Sequence, residues 1–428
     1  MPRNTSFFSR SLLVVVSSLV LLSGCTVNQV TGERQLSMPF AEQIKIGNEQ
    51  YGPAQQQQGG RYVVDPELNL YVNQVGQSLA VSSPVKLPFE FVVLNNDVPN
   101  AWALPGGKIA VNRGLLILLE DEAQLAAVLG HEIVHAAAEH SANQMRNAQI
   151  AGVTALVVGV AAAASDHDNA ALISLGAVVG SQAYQAHYGR SQELQADFYG
   201  IDYMVNAGYD PMASVELQQT FVSLSNGKKS NYLSSLFASH PPSQERVKKN
   251  QQKVAKLPSG KRNKKEYQRA IAQLHKDQPA YKEHAAAQQA AAEKNYVKAL
   301  QLNNKAIKLQ ANEAQFYVTK GQILSAQNQH QQARDAFAQA AKKNPEYFMA
   351  QLGLGLSENK LKRYGQAKPA LLKSYNLLPT STAIYELGQA EEGQGNKEQA
   401  IVYYRKAAGE NSDIGRAAQQ KLRDLNAG

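Results

Sequence analysis

The chain has 428 residues, a formal net charge of +8, 44% apolar residues and one cysteine. That length and apolar content allow two or three packed domains and exclude a chain that is disordered throughout. A single cysteine excludes an intramolecular disulfide, and no basic stretch interleaved with aromatics points to a nucleic-acid partner.

At the N-terminus, Arg3 and Arg10 precede an apolar run over residues 12–22 that is too short to span a bilayer and has the length of a signal-peptide core. The run ends in Leu22-Ser23-Gly24-Cys25, which resembles a bacterial lipobox. The resemblance implies cleavage before Cys25 and lipid on that residue, so that residues 1–24 are the signal peptide and 25–39 an anchor and linker. Lipidation also accounts for a solitary cysteine in an exported chain. At about 0.8 kcal/mol per buried methylene, more than one acyl chain anchors a protein stably. Thr26 stands where an aspartate would favour retention at the inner membrane. The lipoprotein reading therefore implies the periplasmic face of the outer membrane of a Gram-negative bacterium.

A mixed, non-repetitive segment over residues 40–250 has the grammar of one catalytic domain. Helices are expected over 40–51 and 65–80, separated by a break rich in glutamine and glycine. Strands follow over 89–94, 100–104 and 108–112, around Asn95-Asn96-Asp97 and Pro105-Gly106-Gly107, and after them only helices. Asn100, Ala101, Trp102 and Ala103 are a candidate edge strand that could hold an extended peptide by backbone pairing. An interior strand with Trp102 in the core is the alternative.

His131-Glu132-Ile133-Val134-His135 lies in a run over residues 121–140 whose composition favours one helix. Histidines four apart sit about 6 Å apart along one helical face, so both imidazoles can converge on one tetrahedral metal. Glu132 lies beside them as a base able to take a proton from the attacking water. His140 would point to another side of a continuous helix, as a surface residue or one behind the ligands. Further on, Glu193 and Asp197 share a helical face. Glu193 completes a set of two histidines and one carboxylate, leaving a fourth position open, and Asp197 can fix a ligand histidine through its outer nitrogen. Between the two motifs, apolar runs over 150–164 and 170–180 suggest a helical hairpin, either covering the cleft or touching a membrane.

These motifs together resemble the Ste24-type and HtpX-type zinc metallopeptidases, whose pattern is HExxH followed by ExxxD. The match covers His131, Glu132, His135, Glu193 and Asp197, and extends to Asn100-Ala101-Trp102-Ala103 and Pro105-Gly106-Gly107. The resemblance implies one Zn2+ per chain and endopeptidase activity. Ser239-His240-Pro241-Pro242 with Arg246 resembles a family segment near the active site. In the BepA type of this family, the histidine matching His240 can fill the open zinc position and keep the enzyme latent. That leaves His240 as an inhibitory ligand, a catalytic group near the transition state, or a structural loop residue, with Arg246 behind the ligands.

A basic segment over residues 251–280 reads as a solvated linker helix, with lipid headgroups as the alternative contact. Beyond it the sequence repeats. Ala287, Gly321, Gly355 and Gly388 are spaced 34, 34 and 33 apart, in step with Ala299, Ala333, Ala367, Ala400 and with Ala306, Ala340, Ser374, Ala407. Phe337, Leu371 and Tyr404 hold a large apolar position, occupied by Asn303 in the first repeat, and Pro345 and Pro379 close their repeats. The pattern resembles tetratricopeptide repeats, here four over residues 281–428 with a cap helix over 414–425, and implies a protein-binding scaffold. The fold expected is α+β and mainly helical: a zinc metallopeptidase domain with a small sheet, followed by an α-solenoid.

The combined reading is an endopeptidase for misfolded or stalled exported and outer-membrane proteins, recruited through its repeats. The alternative is a non-proteolytic chaperone or assembly scaffold.

Overall fold

The computed structural model describes residues 25–150, 188–225, 233–409 and 412–426. The apolar runs over 150–164 and 170–180 fall outside the described residues, apart from the backbone of Ile150. Among the described residues, no helix is long and apolar enough to cross a membrane.

The segment after Cys25 is not a free linker. Strands β1 (Cys25–Val27) and β2 (Arg34–Leu36) pair antiparallel. The Asn28 amide donates to Ala138 O, which ties this hairpin to the end of the histidine-bearing helix. Helix α1 (Phe40–Gln57) runs further than the sequence suggests, because the glutamines continue it up to Gly59 and Gly60, both at positive φ. Helix α2 (Pro66–Ala80) follows, with Pro66 in its first turn, where no backbone donor is needed.

Strands β3 (Glu90–Leu94), β4 (Ala101–Leu104) and β5 (Lys108–Asn112) form a sheet in the order β3-β5-β4, with β3 parallel and β4 antiparallel to β5. β4 is therefore an edge, and Trp102 is also buried, edge-on to Tyr51 at 6.0 Å between ring centroids. The two sequence alternatives hold together, since a strand can leave its hydrogen-bonding side open while its side chains face a core.

After the one-turn α3 (Arg113–Leu116) comes α4 (Glu122–Ala137), whose N-cap Asp121 accepts from Gln124 N. It does not extend to residue 140: Glu139 has φ +62°, and α5 (His140–Ile150) begins in a new direction. Helices α6 (Arg190–Asn206), α7 (Met212–Ser225), α8 (Ser234–Ser239) and α9 (Gln244–Val254) complete the domain.

The basic segment is not solvated as a whole. Tyr267 on α10 (Lys264–Ala270) is fully buried and donates to Leu116 O at 2.6 Å, while Arg262 bridges Asp121 and Glu216. The first repeat helix, α11 (Ala272–Ala292), starts before residue 281 and sends Leu274 and Tyr281 into the catalytic core. A boundary at residue 281 would cut this helix.

The repeats are the pairs α11 with α12 (Tyr296–Leu309), α13 (Ala314–Ala326) with α14 (His330–Lys343), α15 (Phe348–Lys360) with α16 (Tyr364–Leu377) and α17 (Ser381–Gly393) with α18 (Lys397–Ala408). The cap is α19 (Asp413–Asn426). Their period has a direct packing cause. A Cβ on Gly321 would lie 2.7 Å from the Phe337 ring, and one on Gly355 or Gly388 2.5 Å from Leu371 or Tyr404. Small and large positions of the repeat are thus two sides of one contact. Asn303, in the large position of the first repeat, is buried and donates to Phe316 O.

Beside the apolar contact of Leu274 and Tyr281, the solenoid docks on the N-terminal domain through polar groups. Glu313 accepts from Asn95 Nδ2 and Tyr281 OH, and Gln56 bonds both Glu346 O and Phe348 N.

Candidate metal centre

Helices α4 and α6 can bring their side chains together because glycines meet where they cross. A Cβ on Gly130 would lie 3.1 Å from Gly200 O, and one on Gly200 would lie 3.1 Å from His131 N. Gly130 directly precedes His131, and Gly200 lies one turn beyond Asp197, so this close approach sets the distance across the site.

His131, His135, Glu193 and His240 all lie within 4.8 Å of one another through one donor atom each, and all four are buried. His131 Nε2 and His135 Nε2 are 3.0 Å apart, and His240 Nδ1 is 3.3 Å from the first. Glu193 Oε1 lies 3.3 Å from His135 Nε2 and 3.1 Å from His240 Nδ1. Ligands at about 2.05 Å from a tetrahedral zinc ion are about 3.3 Å from one another, so these separations and the N3O donor set fit that ion.

Behind the donors stands a buried polar layer. His131 Nδ1 faces Asp197 Oδ1 at 3.0 Å. Arg246 grips both oxygens of Asp197 at 2.7 Å and pairs with Glu193 at 2.6 Å. It sits in the first turn of α9, where Ser243 caps its backbone N–H. Burial pushes the Glu193 and Asp197 carboxyls up, but Arg246 and His131 outweigh it and hold both below the usual range. Burial lowers His131, yet Glu193 and Asp197 raise it to about 10, and the same carboxylates suit the site to a metal cation. Glu132 is raised, chiefly by burial. Its Oε1 lies 3.4 Å from His240 Nε2, and its Oε2 is buried without a hydrogen-bond partner among the described residues.

Residues 66–254 match the sequence profile of Peptidase family M48. Residues 66–254 are thus a Peptidase family M48 domain. Tetratricopeptide repeat profiles match residues 314–347 and 381–413. The chain is 31% identical over 182 residues to the Beta-barrel assembly-enhancing protease of Escherichia coli K12, covering 41% of this chain and 37% of that one. It is 32% identical over 182 residues to Mitochondrial metalloendopeptidase OMA1 of Schizosaccharomyces pombe, covering 42% and 51%. It is 30% identical over 164 residues to Metalloprotease YcaL of Escherichia coli K12, covering 38% and 61%. The match thus spans about two fifths of the first of these relatives.

The structure brings His131, Glu132, His135, Glu193, Asp197, His240 and Arg246 of the M48 domain into one cluster. Asn100 reaches it from the β4 side, its Oδ1 accepting from Ser239 Oγ at 3.4 Å. The side chain of Cys25 is outside the described residues. Of the two places open to His140, the structure takes the one behind the ligands and not the surface. The break at Glu139 places its Nδ1 3.0 Å from His135 Nδ1, and burial lowers it to about 4. Sequence reasoning missed Gly130, Gly200, Gln195 and Tyr188. Gln195 lies inside the ExxxD motif, so only its position hinted at a role, and Tyr188 carried no signal.

Proposed function

We propose that the chain is a zinc-dependent endopeptidase that acts on unfolded or misassembled exported and outer-membrane proteins. The observation that carries this reading is the buried set of His131, His135 and Glu193 with Glu132 beside it. When bound, zinc polarises the peptide carbonyl and makes water more acidic. Glu132 takes the proton of the attacking water on its unpartnered oxygen and passes it to the leaving amine. Asp197 and Arg246 hold His131 and Glu193 in place. Backbone pairing along Asn100, Ala101, Trp102 and Ala103 gives affinity with little sequence preference. The Ala103 carbonyl already accepts from Ser141 and the Asn100 carbonyl from Asn112 N–H, so the outward-facing pairing groups are centred on Ala101. A cavity of about 50 Å³, lined by Val128, Leu217 and Phe221 and reaching Glu132, suits a small aliphatic side chain of the substrate. The repeats supply a surface for substrate or assembly machinery. A purely non-proteolytic scaffold leaves the buried Glu132 without a role.

The test is cleavage of a chemically unfolded protein by the purified chain. Activity should vanish on chelation and return with one equivalent of zinc. No cleavage at full zinc occupancy, by wild type and by His240→Ala alike, would favour the chaperone reading.

Lipid on Cys25 would place this activity at the periplasmic face of the outer membrane. Cys25→Ala should move the exported protein from the membrane pellet to the soluble fraction. Sedimentation unchanged after carbonate washing would assign the anchor to another segment.

A further inference from the structure

Tyr188 stacks on the His135 ring with centroids 3.6 Å apart and planes at 19°. Stacking fixes the plane of the ring but not which nitrogen carries the proton. Ligation through Nε2 requires the proton on Nδ1. For His131 this is settled by Asp197, whose carboxylate only accepts. Among the described residues, no carboxylate bonds His135 at the corresponding place. Its Nδ1 faces His140 Nδ1 at 3.0 Å, and two ring nitrogens at that distance share one proton between them. His140 Nε2 in turn lies 3.1 Å from Gln195 Oε1.

We propose that Gln195 and His140 form a positioning relay that holds His135 in the tautomer able to bind metal. The Gln195 carbonyl oxygen only accepts, so His140 carries its proton on Nε2 and offers a lone pair at Nδ1. His135 then donates from Nδ1–H, and its bare Nε2 points at Glu193 and His131. The reversed chain, with the Gln195 amide turned to donate, would place the His135 proton on Nε2, facing His131 Nε2 at 3.0 Å, and would block ligation. Helix α6 would thus serve the site three times: Glu193 as ligand, Asp197 behind His131, and Gln195 behind His135 through His140. His140 reaches this place only because the chain breaks at Glu139, so a continuous helix would not build the relay.

This inference rests on the metal-site reading, and its readouts are zinc affinity and tautomer state rather than cleavage. Nitrogen-15 NMR of histidine-labelled, zinc-free protein, with His135→Ala to identify the signals, should show His135 protonated on Nδ1 and bare at Nε2. Zinc competition against a chromophoric chelator should give an affinity about 10–100-fold weaker for His140→Phe and for Gln195→Leu, with mixed His135 tautomers. Gln195→Glu keeps an acceptor and should stay within about threefold of wild type, since its oxygen still orders the chain of donors. Gln195 is only half-buried, so its variants should fold even where His140→Phe does not. A His135 protonated on Nε2 in wild type, or a Gln195→Leu variant with wild-type affinity and tautomer, would overturn the relay while leaving the metal site standing. A wild-type chain that binds no zinc would overturn both.

Discussion

Glu132→Gln should lower cleavage of unfolded protein by at least about 10²–10⁴-fold while zinc content stays at the wild-type level. Glu132 lies beside the donor cluster without belonging to it: the four groups that converge are His131, His135, Glu193 and His240. Its burial raises its affinity for a proton, which is what a base needs, and one of its oxygens has no hydrogen-bond partner among the described residues. Glutamine keeps the shape and removes the ability to take that proton. His135→Ala and Glu193→Ala should behave differently, losing metal together with activity. Zinc measured by atomic absorption alongside cleavage separates the cases. Undiminished cleavage by Glu132→Gln would remove the base assignment, and full zinc in both ligand variants would remove the site.

His240→Ala should raise cleavage, on the order of tenfold or more, and self-cleavage with it. The His240 imidazole lies within hydrogen-bonding distance of Glu193 Oε1 and close to His131 Nε2, which is where a fourth ligand belongs. On the latency reading, a nitrogen there would compete with the water from which Glu132 takes a proton, leaving the resting chain folded and only fractionally competent. Removing the competitor raises the competent fraction toward one. Two features hold His240 in this place: its N–H donates to Leu236 O at 2.7 Å, and Pro241 and Pro242 stiffen the chain beyond it. Rates measured on wild type and variant at equal zinc occupancy give the sign. A fall of about a hundredfold would instead make His240 a donor to the developing oxyanion, because losing one such donor has that effect.

The sequence by itself determined the parts governed by local periodicity. HExxH brings two candidate ligands and a candidate base together because a helix places residues four apart on one face, and ExxxD does the same for Glu193 and Asp197. The repeats were legible down to single contacts, since Gly321, Gly355 and Gly388 recur opposite Phe337, Leu371 and Tyr404. Only the tertiary structure decided what depends on where helices end and cross. The break at Glu139 decided between the surface and the place behind the ligands for His140, and one left-handed residue inside an apparently continuous helical run gives no periodic signal. The Gly130 and Gly200 contact set the separation of the two motifs, because close packing of two backbones is a property of the pair and not of either sequence segment. The basic segment looked like a solvated linker because its charges are numerous, but Tyr267 and Leu274 bind it to the core of the N-terminal domain. A few buried apolar side chains outweigh many exposed lysines, whose long side chains keep their charges in water while the backbone beneath them packs.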